Sequence, residues 1–482
     1  MSGPVGSRVS SAPAALALGS AAHLALMATV LWLDDDRAAA LAAFTGWLVC
    51  LSGTVWGFGF RLLSAPAVYL AVFGVFHLGL ATPWALGLSA GQLPSWLLHS
   101  RLTPALALVL AALWAFYLGV GAAAFRGAKS PHRRRPAISP RDDVSFHCGL
   151  VVTLLGCAAL LWGVRMLGFE RMANATYFET YRLARTYDPR FFVTSLHLVP
   201  MGLYLAAASA SRPRLRLVAG FAVLWAICVF GLGFRGFALV PLVALATVFD
   251  KRGVRIPRAA LAASVATALL AIPAVHSMRA NPLMQRSMND LAVGVRPFEA
   301  LQEMGGSLRP LVHTIELMAN EPYRRGTTYL GALRLIAPNL SLIWRGDDYL
   351  ELEDLPPSHW VSKLAAPWSY RNYGGLGFSA VAEPYMNFGP AGVAGWFLLL
   401  GWGLARLDRQ ADARTASLAV LAMLLGPMLW ATRNTMAVFF RPAVWGLAVA
   451  LAASLLSRSL RSMRPIGDSQ RRPVGAALGE RC

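Results

Sequence analysis

"TPALALVLAALWAFYLGVGAAAF", Thr103 to Phe125, decides the fold. It holds no charged residue and is bounded by Arg101 on one side and by the basic stretch "RGAKSPHRRRPAISPR" (Arg126 to Arg141) on the other. At a helical rise of about 1.5 Å per residue, such a run spans the roughly 30 Å hydrocarbon core of a bilayer. Comparable runs recur at 12–33, 38–60, 66–86, 144–166, 191–210, 216–234, 236–250, 259–275, 388–405, 416–432 and 436–457. The chain is 56% hydrophobic and 14% charged, with mean hydropathy +0.51. These features predict an all-α polytopic membrane protein of about 12 transmembrane helices. The seventh and eighth runs are separated by little more than Phe234 and Arg235 and read as a broken hairpin.

A formal charge of +20 raises the question of nucleic acid, and the placement of the charge answers it. Basic residues gather in alternate short loops: Arg126 to Arg141, "SRPRLR" (Ser211 to Arg216), "KRGVRIPR" (Lys251 to Arg258), "RLDRQADAR" (Arg406 to Arg414) and the tail from Arg458. Lysine and arginine concentrate on the cytoplasmic side of membrane proteins, so these loops are topology signals and lipid-headgroup contacts rather than a nucleic-acid surface. With twelve spans both termini lie inside. The organisation expected is 1–275 with about nine spans, 276–385 as an extracytoplasmic loop region, 386–457 with three spans and 458–482 as a basic cytoplasmic tail. The first run has only Arg8 before it and reads as a retained span. Cys50, Cys148, Cys157 and Cys228 fall in spans and Cys482 ends the chain, which leaves no outer disulfide framework.

The long outer segment is where chemistry is expected, because a connection of that length exceeds ordinary loops. "RPFEALQEMGGSLRPLVHTIELMAN" (Arg296 to Asn320) sets Leu301, Met304, Leu308, Leu311, Val312, Ile315 and Met318 on one helical face and Gln302, Arg309, His313 and Glu316 on the other. It reads as a helix lying on the outer membrane surface, kinked at Gly305 and Gly306 or at Pro310. His313 is either part of a solvated face or a proton carrier. The acidic cluster Asp347 to Asp354 reads as a solvated turn. "LDDDR" (Leu33 to Arg37) reads as helix-end capping, with a metal-binding acidic pair as the competing view.

Glu383 stands at the entrance to a span, where an ionised carboxylate costs several kcal/mol unless wetted, paired or used. Arg235 and Arg433 stand at the ends of spans and Arg441 lies inside the last one. An ion pair between Glu383 and an arginine is the folding reading, and arginines that grip a phosphate are the functional one. The planar guanidinium fork suits a phosphate. "GLGFRG" (Gly231 to Gly236) matches a dinucleotide fingerprint literally, but no strand precedes it and no acid follows at the required spacing. The chain shows no nucleophile elbow, zinc-ligand spacing or P-loop.

Three stretches carry a resemblance: "GFRGFALVPLVAL" (Gly233 to Leu245), "RRGTTYLGALRLIAP" (Arg324 to Pro338) and "GLGFSAVAEPYMNFGPAGVAG" (Gly375 to Gly395). Over roughly residues 220–445 the chain resembles the O-antigen polymerase (Wzy-type) family of oligosaccharide repeat-unit polymerases, most specifically at Gly377, Ser379, Ala382, Glu383, Tyr385, Asn387, Phe388 and Gly389. It departs from the family pattern after "TTYL", where Pro338 is followed by Asn339 and Trp344 by Arg345. The resemblance implies a multi-pass glycosyltransferase of the bacterial inner membrane, of GT-C-like architecture, that joins undecaprenyl-diphosphate-linked oligosaccharides. It implies Glu383 and His313 as catalytic residues, Arg235, Arg324, Arg325, Arg433 and Arg441 at the diphosphate, and Tyr385 and Asn387 at the glycan, with no metal and no cofactor. The partners implied are lipid-linked oligosaccharides, the bilayer and other polysaccharide-export components. An O-antigen ligase-like transferase and a lipid-linked glycan flippase are the alternatives. Transporters carry their polar groups near mid-membrane in related halves, whereas here charge concentrates in one asymmetric outer segment. Reporter fusions test the topology: positions 135, 255 and 411 should read cytoplasmic and 180 and 350 external, and an external signal at 255 with a cytoplasmic one at 350 would invert the assignment.

Overall fold

The computed structural model describes residues 12–88, 94–126, 140–174, 190–232, 234–280, 297–334, 336, 356–373, 375–412 and 414–462. The acidic cluster at 347–354, most of the Arg126 to Arg141 stretch and most of the 458–482 tail lie outside the described residues. In chain order the helices are α1 (Ala12–Leu33), α2 (Asp36–Ser52), α3 (Ala65–Leu78), α4 (Ala81–Ala85), α5 (Leu102–Arg126), α6 (Pro140–Leu167), α7 (Phe169–Asn174), α8 (Arg190–Ser209), α9 (Arg212–Gly231) and α10 (Arg235–Lys251). They continue with α11 (Arg258–Ala280), α12 (Pro297–Met304), α13 (Leu308–Leu317), α14 (Thr327–Arg334), α15 (Pro357–Ala365), α16 (Pro367–Tyr373), α17 (Ala382–Ala411), α18 (Thr415–Ala431) and α19 (Ala437–Ser462). No strand occurs among the described residues.

Each of the twelve apolar runs falls on helix. Seven described helices are long and apolar enough to cross a membrane, and Ala65–Leu78, Arg258–Ala271 and Thr415–Ala431 are shorter apolar helices. The 66–86 run is not continuous: it turns at Gly79 and Leu80 and divides into α3 and the one-turn α4. Gly79 packs against the Gly305 backbone and the Leu301 carbonyl, and that close approach of the outer segment is the reason the helix stops there. The broken hairpin is as expected, with α9 ending at Gly231 and α10 starting at Arg235.

Small residues bring the helix axes together where lipid supplies no hydrophobic drive for association. A methyl group at Gly119 on α5 would collide with the Leu398 carbonyl of α17, and one at Gly401 on α17 would collide with the Phe116 carbonyl of α5. The two glycines make α5 and α17 a close pair, and Phe116 of α5 and Phe397 and Leu404 of α17 are buried. One end of this pair is tied electrostatically. Lys251 Nζ lies 3.0 Å from both Asp408 Oδ2 and Asp412 Oδ1, and Asp408 Oδ1 accepts the Ala65 amide at 2.8 Å. The buried charges thereby satisfy one another.

The amphipathic stretch forms as predicted, with its break at the glycines: α12 ends at Met304, Gly305–Ser307 makes a 3₁₀ turn, and α13 follows. Pro310 sits in the first turn of α13, where its missing N–H is not needed. Its location differs from expectation. Leu308, Leu311 and Val312 are fully buried, and α13 packs on α3, α5, α15 and α17. The apolar face is covered by protein rather than by lipid, because the short α3 leaves room above it. At "LDDDR", Asp35 caps α2 by accepting the Ala38 amide at 2.8 Å, and Asp36 accepts the Thr103 hydroxyl at 2.6 Å, tying α2 to the start of α5. Gly401→Leu should lower the thermal midpoint of the detergent-purified protein, with an overpacking cost of about 1–3 kcal/mol or more; an unchanged midpoint would show that α5 and α17 do not depend on this approach.

Candidate functional site

The site begins with a break in a helix. Within α17 the sequence Gly389-Pro390 interrupts the ladder: Gly389 has φ 64° and ψ −156°, a conformation that glycine tolerates and L side chains do not. A Cβ there would also meet the Tyr323 ring. Pro390 has no N–H to offer the Met386 carbonyl four residues earlier. The orphaned carbonyls are claimed from another part of the chain, with Arg324 N donating to Met386 O and Arg325 N to Asn387 O, both at 3.0 Å. The segment 324–328 is thereby laid along the first two turns of α17. Its turn is tight, with Arg325 at φ 49° and Gly326 at φ 91°, and the left-handed arginine stores about 1–2 kcal/mol of strain.

Asn387 fastens the segment. Its Oδ1 accepts the Gly326 amide at 2.9 Å, and its Nδ2 donates to Thr328 Oγ1 at 2.7 Å and to the Glu383 carbonyl at 2.8 Å. Thr328 Oγ1 in turn donates to Glu383 Oε1 at 3.0 Å, while the Met436 amide donates to Glu383 Oε2 at 2.7 Å. Glu383 is 1% exposed. Its side-chain partners are a hydroxyl and a backbone amide, and among the described residues it forms no ion pair, contrary to the arginine partner expected from sequence. Two of the four lone-pair positions of the Glu383 carboxylate are thereby used, and the others leave it with capacity for more donors.

The other flank is built the same way. Ahead of α17, Phe378 N donates to Arg433 O at 3.0 Å and Ala380 N to Thr432 O at 3.3 Å, pairing "GLGFS" with the end of α18. Ser379 Oγ accepts the Val381 amide at 3.1 Å and meets His77 Nε2 at 2.9 Å. His77 Nδ1 lies 3.1 Å from the Phe73 carbonyl. A carbonyl only accepts, so Nδ1 carries the proton and Nε2 receives the Ser379 hydroxyl. Both side chains are fully buried and hold α3 to the start of α17.

The structure divides the five arginines into two groups. Arg324, Arg325 and Arg433 stand on the segments hydrogen-bonded to the Glu383 turn; Arg324 lies 4.7 Å over the Trp360 ring and Arg433 5.8 Å over Phe76. Arg235 and Arg441 each precede a residue, Gly236 and Pro442, that lines a cavity of about 40 Å³ between α8, α10, α18 and α19, and Arg441 lies 5.8 Å over Trp445. Pro200, Pro241, Pro427 and Pro442, one from each of these helices, line that cavity. Tyr385 packs edge-on against Tyr323 with ring centroids 6.0 Å apart. Asn387, expected at the glycan, is buried and spends its amide inside the protein. His313 is not in the Glu383 network. It faces Glu316, with Nδ1 to Oε2 at 3.6 Å, and His99, with ring centroids 5.9 Å apart. Burial pushes the His313 imidazole below its usual range, the Glu316 hydrogen bond opposes this, and the Arg309 charge adds to it. Sequence reasoning missed Thr328, the Met436 amide, His77 and His99. The adjacent threonines in "RRGTT" were visible, but only the broken helix brings one of them to Glu383.

A membrane bundle with a buried carboxylate and arginines on the turns around it defines a polytopic α-helical protein with a polar site at the ends of its helices. The family model for the O-antigen polysaccharide polymerase Wzy matches residues 54–460, most of the chain. The chain belongs to that family, whose members polymerise O-antigen polysaccharide in the membrane. No curated protein and no solved structure matches it significantly. Asn387→Ala should release the 324–328 segment at a cost of about 1–3 kcal/mol for the stranded partners. Limited trypsin digestion at Arg324 and Arg325 checks it, and cleavage no faster than in the unaltered protein would contradict the bracing role.

Proposed function

We propose that this protein polymerises undecaprenyl-diphosphate-linked oligosaccharide repeat units into a surface polysaccharide, by glycosyl transfer at the outer face of the bacterial inner membrane, with both termini cytoplasmic. The observation that carries the reading is the Glu383 turn: a carboxylate at 1% exposure, bonded to Thr328 and Met436, with Arg324, Arg325 and Arg433 on the segments that hold it. In the transfer, the bond from the anomeric carbon to the diphosphate oxygen breaks and the diphosphate leaves with the electron pair. Arginines aimed at that oxygen stabilise charge that exists only as the bond breaks, so they lower the barrier more than they tighten binding. Arg324, Arg325 and Arg433 take this role, and Arg235 and Arg441 bind the diphosphate of the second lipid-linked chain.

The acceptor hydroxyl must lose its proton as its oxygen bonds to the anomeric carbon. Glu383 is too deep for direct contact, and half-buried Thr328 stands between it and the surface. In this reading Thr328 Oγ1 accepts the acceptor's proton while passing its own to Glu383 Oε1, and the Met436 amide and Asn387 hold the pair in register. Tyr385 and Tyr323 offer aromatic faces to the sugars.

Reconstitution of the purified protein with lipid-linked repeat units tests the reading, the expected product being a ladder of longer lipid-linked glycans with release of undecaprenyl diphosphate. Glu383→Gln should fold, because its carbonyl can accept from Met436 while its NH₂ donates to Thr328. It should lose about 100-fold or more of turnover, the usual contribution of a general base, and keep donor binding. Thr328→Val should behave alike and Thr328→Ser should retain most activity. Arg433→Lys keeps the charge, loses the fork and should fall about tenfold in turnover at normal stability. Full turnover in Glu383→Gln at normal expression would sink the relay, and substrate redistributed between leaflets without lengthening would replace polymerisation by transport.

A further inference from the structure

The polar face of α13 gains a partner that its sequence does not announce. His99, in the stretch that leads from the 3₁₀ turn Ser95–Leu98 into α5, reaches across to α13. His99 Nε2 lies 3.1 Å from Glu316 Oε2, and His313 Nδ1, one helical turn before Glu316, lies 3.6 Å from the same oxygen. The three ligand atoms all fall within 4.8 Å of one another. Around a tetrahedral zinc ion with bonds of roughly 2.0–2.2 Å, ligand atoms stand roughly 3.3–3.6 Å apart; the 3.6 Å spacing matches, and the 3.1 Å spacing needs to open by only about 0.2 Å.

We propose that His99, His313 and Glu316 form a binding site for one divalent transition-metal ion of the zinc type. Two imidazole nitrogens and one carboxylate oxygen are the donor set that selects such an ion over magnesium or calcium, which require more oxygens. The set supplies three ligands and leaves a fourth position to water or to an anionic oxygen of a bound molecule. Spacing supports the choice as well: His313 and Glu316 share one face at i and i+3, so α13 presents a two-ligand clasp and His99 closes it from a segment more than 200 residues away in the chain.

The metal-free arrangement prepares this geometry with protons. Arg101 N donates to His99 Nδ1 at 3.1 Å, which puts the His99 proton on Nε2, aimed at Glu316. Coordination through Nε2 moves that proton to Nδ1 and gives up the Arg101 contact. No proton is gained or lost on balance, and two hydrogen bonds, from Arg101 N to His99 and from His99 to Glu316, are exchanged for bonds to a dication. Arg309 acts against the ion, since its charge lies within Coulomb range of His313, and Glu316 supplies the compensating negative charge. The ion would pin the 94–101 segment to α13, beside Arg101, whose charge reaches Tyr385. The site stands independently of the glycosyl-transfer reading, because its evidence is the ligand set alone.

The test uses tag-free, full-length protein in detergent, stripped with chelator, dialysed and titrated with cobalt(II) and then with zinc. One ion per chain should bind with a Kd of about 10 μM or tighter, near 7 kcal/mol of binding free energy. Cobalt should give the visible ligand-field absorption of a nitrogen and oxygen site, and zinc should displace it. His99→Asn and Glu316→Gln should each weaken binding by about 100-fold or more, beyond what loss of an outer partner costs, while His147→Ala, remote from the cluster, should bind as the unaltered protein does. Metal-free thermal unfolding of each variant separates loss of the ligand from loss of the fold, and a variant that unfolds is replaced by His313→Gln. Three outcomes overturn the proposal: no uptake at about 100 μM ion, equal uptake in His99→Asn and Glu316→Gln, or a cobalt spectrum with thiolate-to-metal charge transfer, which assigns the ion to cysteine.

Discussion

Two backbone carbonyls hold the centre of this molecule together. Gly389 and Pro390 deny Met386 and Asn387 their helical partners, and a buried carbonyl without a donor costs as much as a lost hydrogen bond. The amides of Arg324 and Arg325 meet that demand. From this exchange follows the seating of Gly326 on Asn387, of Thr328 on Glu383, and of the positively charged segment on the turn of α17. Helix breaks in membrane proteins are tolerated where other protein groups re-satisfy the backbone. Here the re-satisfying groups are the amides of the Arg324 and Arg325 segment.

Glu383 shows how the same backbone logic serves a side chain. A carboxylate at the mouth of a span looks like half of an ion pair, yet its partners are a hydroxyl and an amide. These donors satisfy it without a cation among the described residues. In the function proposed above, an arginine clamped by Glu383 would have its fork turned inward, away from a substrate's diphosphate.

The α12 and α13 segment bridges several helices of the bundle. α13 lays its apolar face on α3, α5 and α17, Gly305 closes on Gly79 and Leu80, and His99 meets Glu316 from the opposite side. Movement of any of these would be felt at Tyr385, through Arg101, and at the 324–328 segment. The close glycine contacts of α5 with α17 and the buried Lys251, Asp408 and Asp412 charges give that segment a stiff base.

Sequence by itself determined what depends on near neighbours along the chain. Hydropathy located helices on every apolar run, the 100° periodicity sorted Leu308, Leu311 and Val312 from Arg309, His313 and Glu316, the glycine pair marked the break between α12 and α13, and Glu383 stood out as a carboxylate at the entrance to a span. Only the tertiary structure decided what depends on distant ones. It divided the 66–86 run at a turn set by Gly305, covered α13 with protein, gave Glu383 a threonine and an amide in place of an arginine, buried Asn387, and joined His99 to His313. The physical reason is common to all of these. Burial and periodicity are summed along one element and survive in composition, whereas a hydrogen bond between residues 328 and 383, or 99 and 316, exists only where two helix ends and a break bring the atoms within about 3 Å.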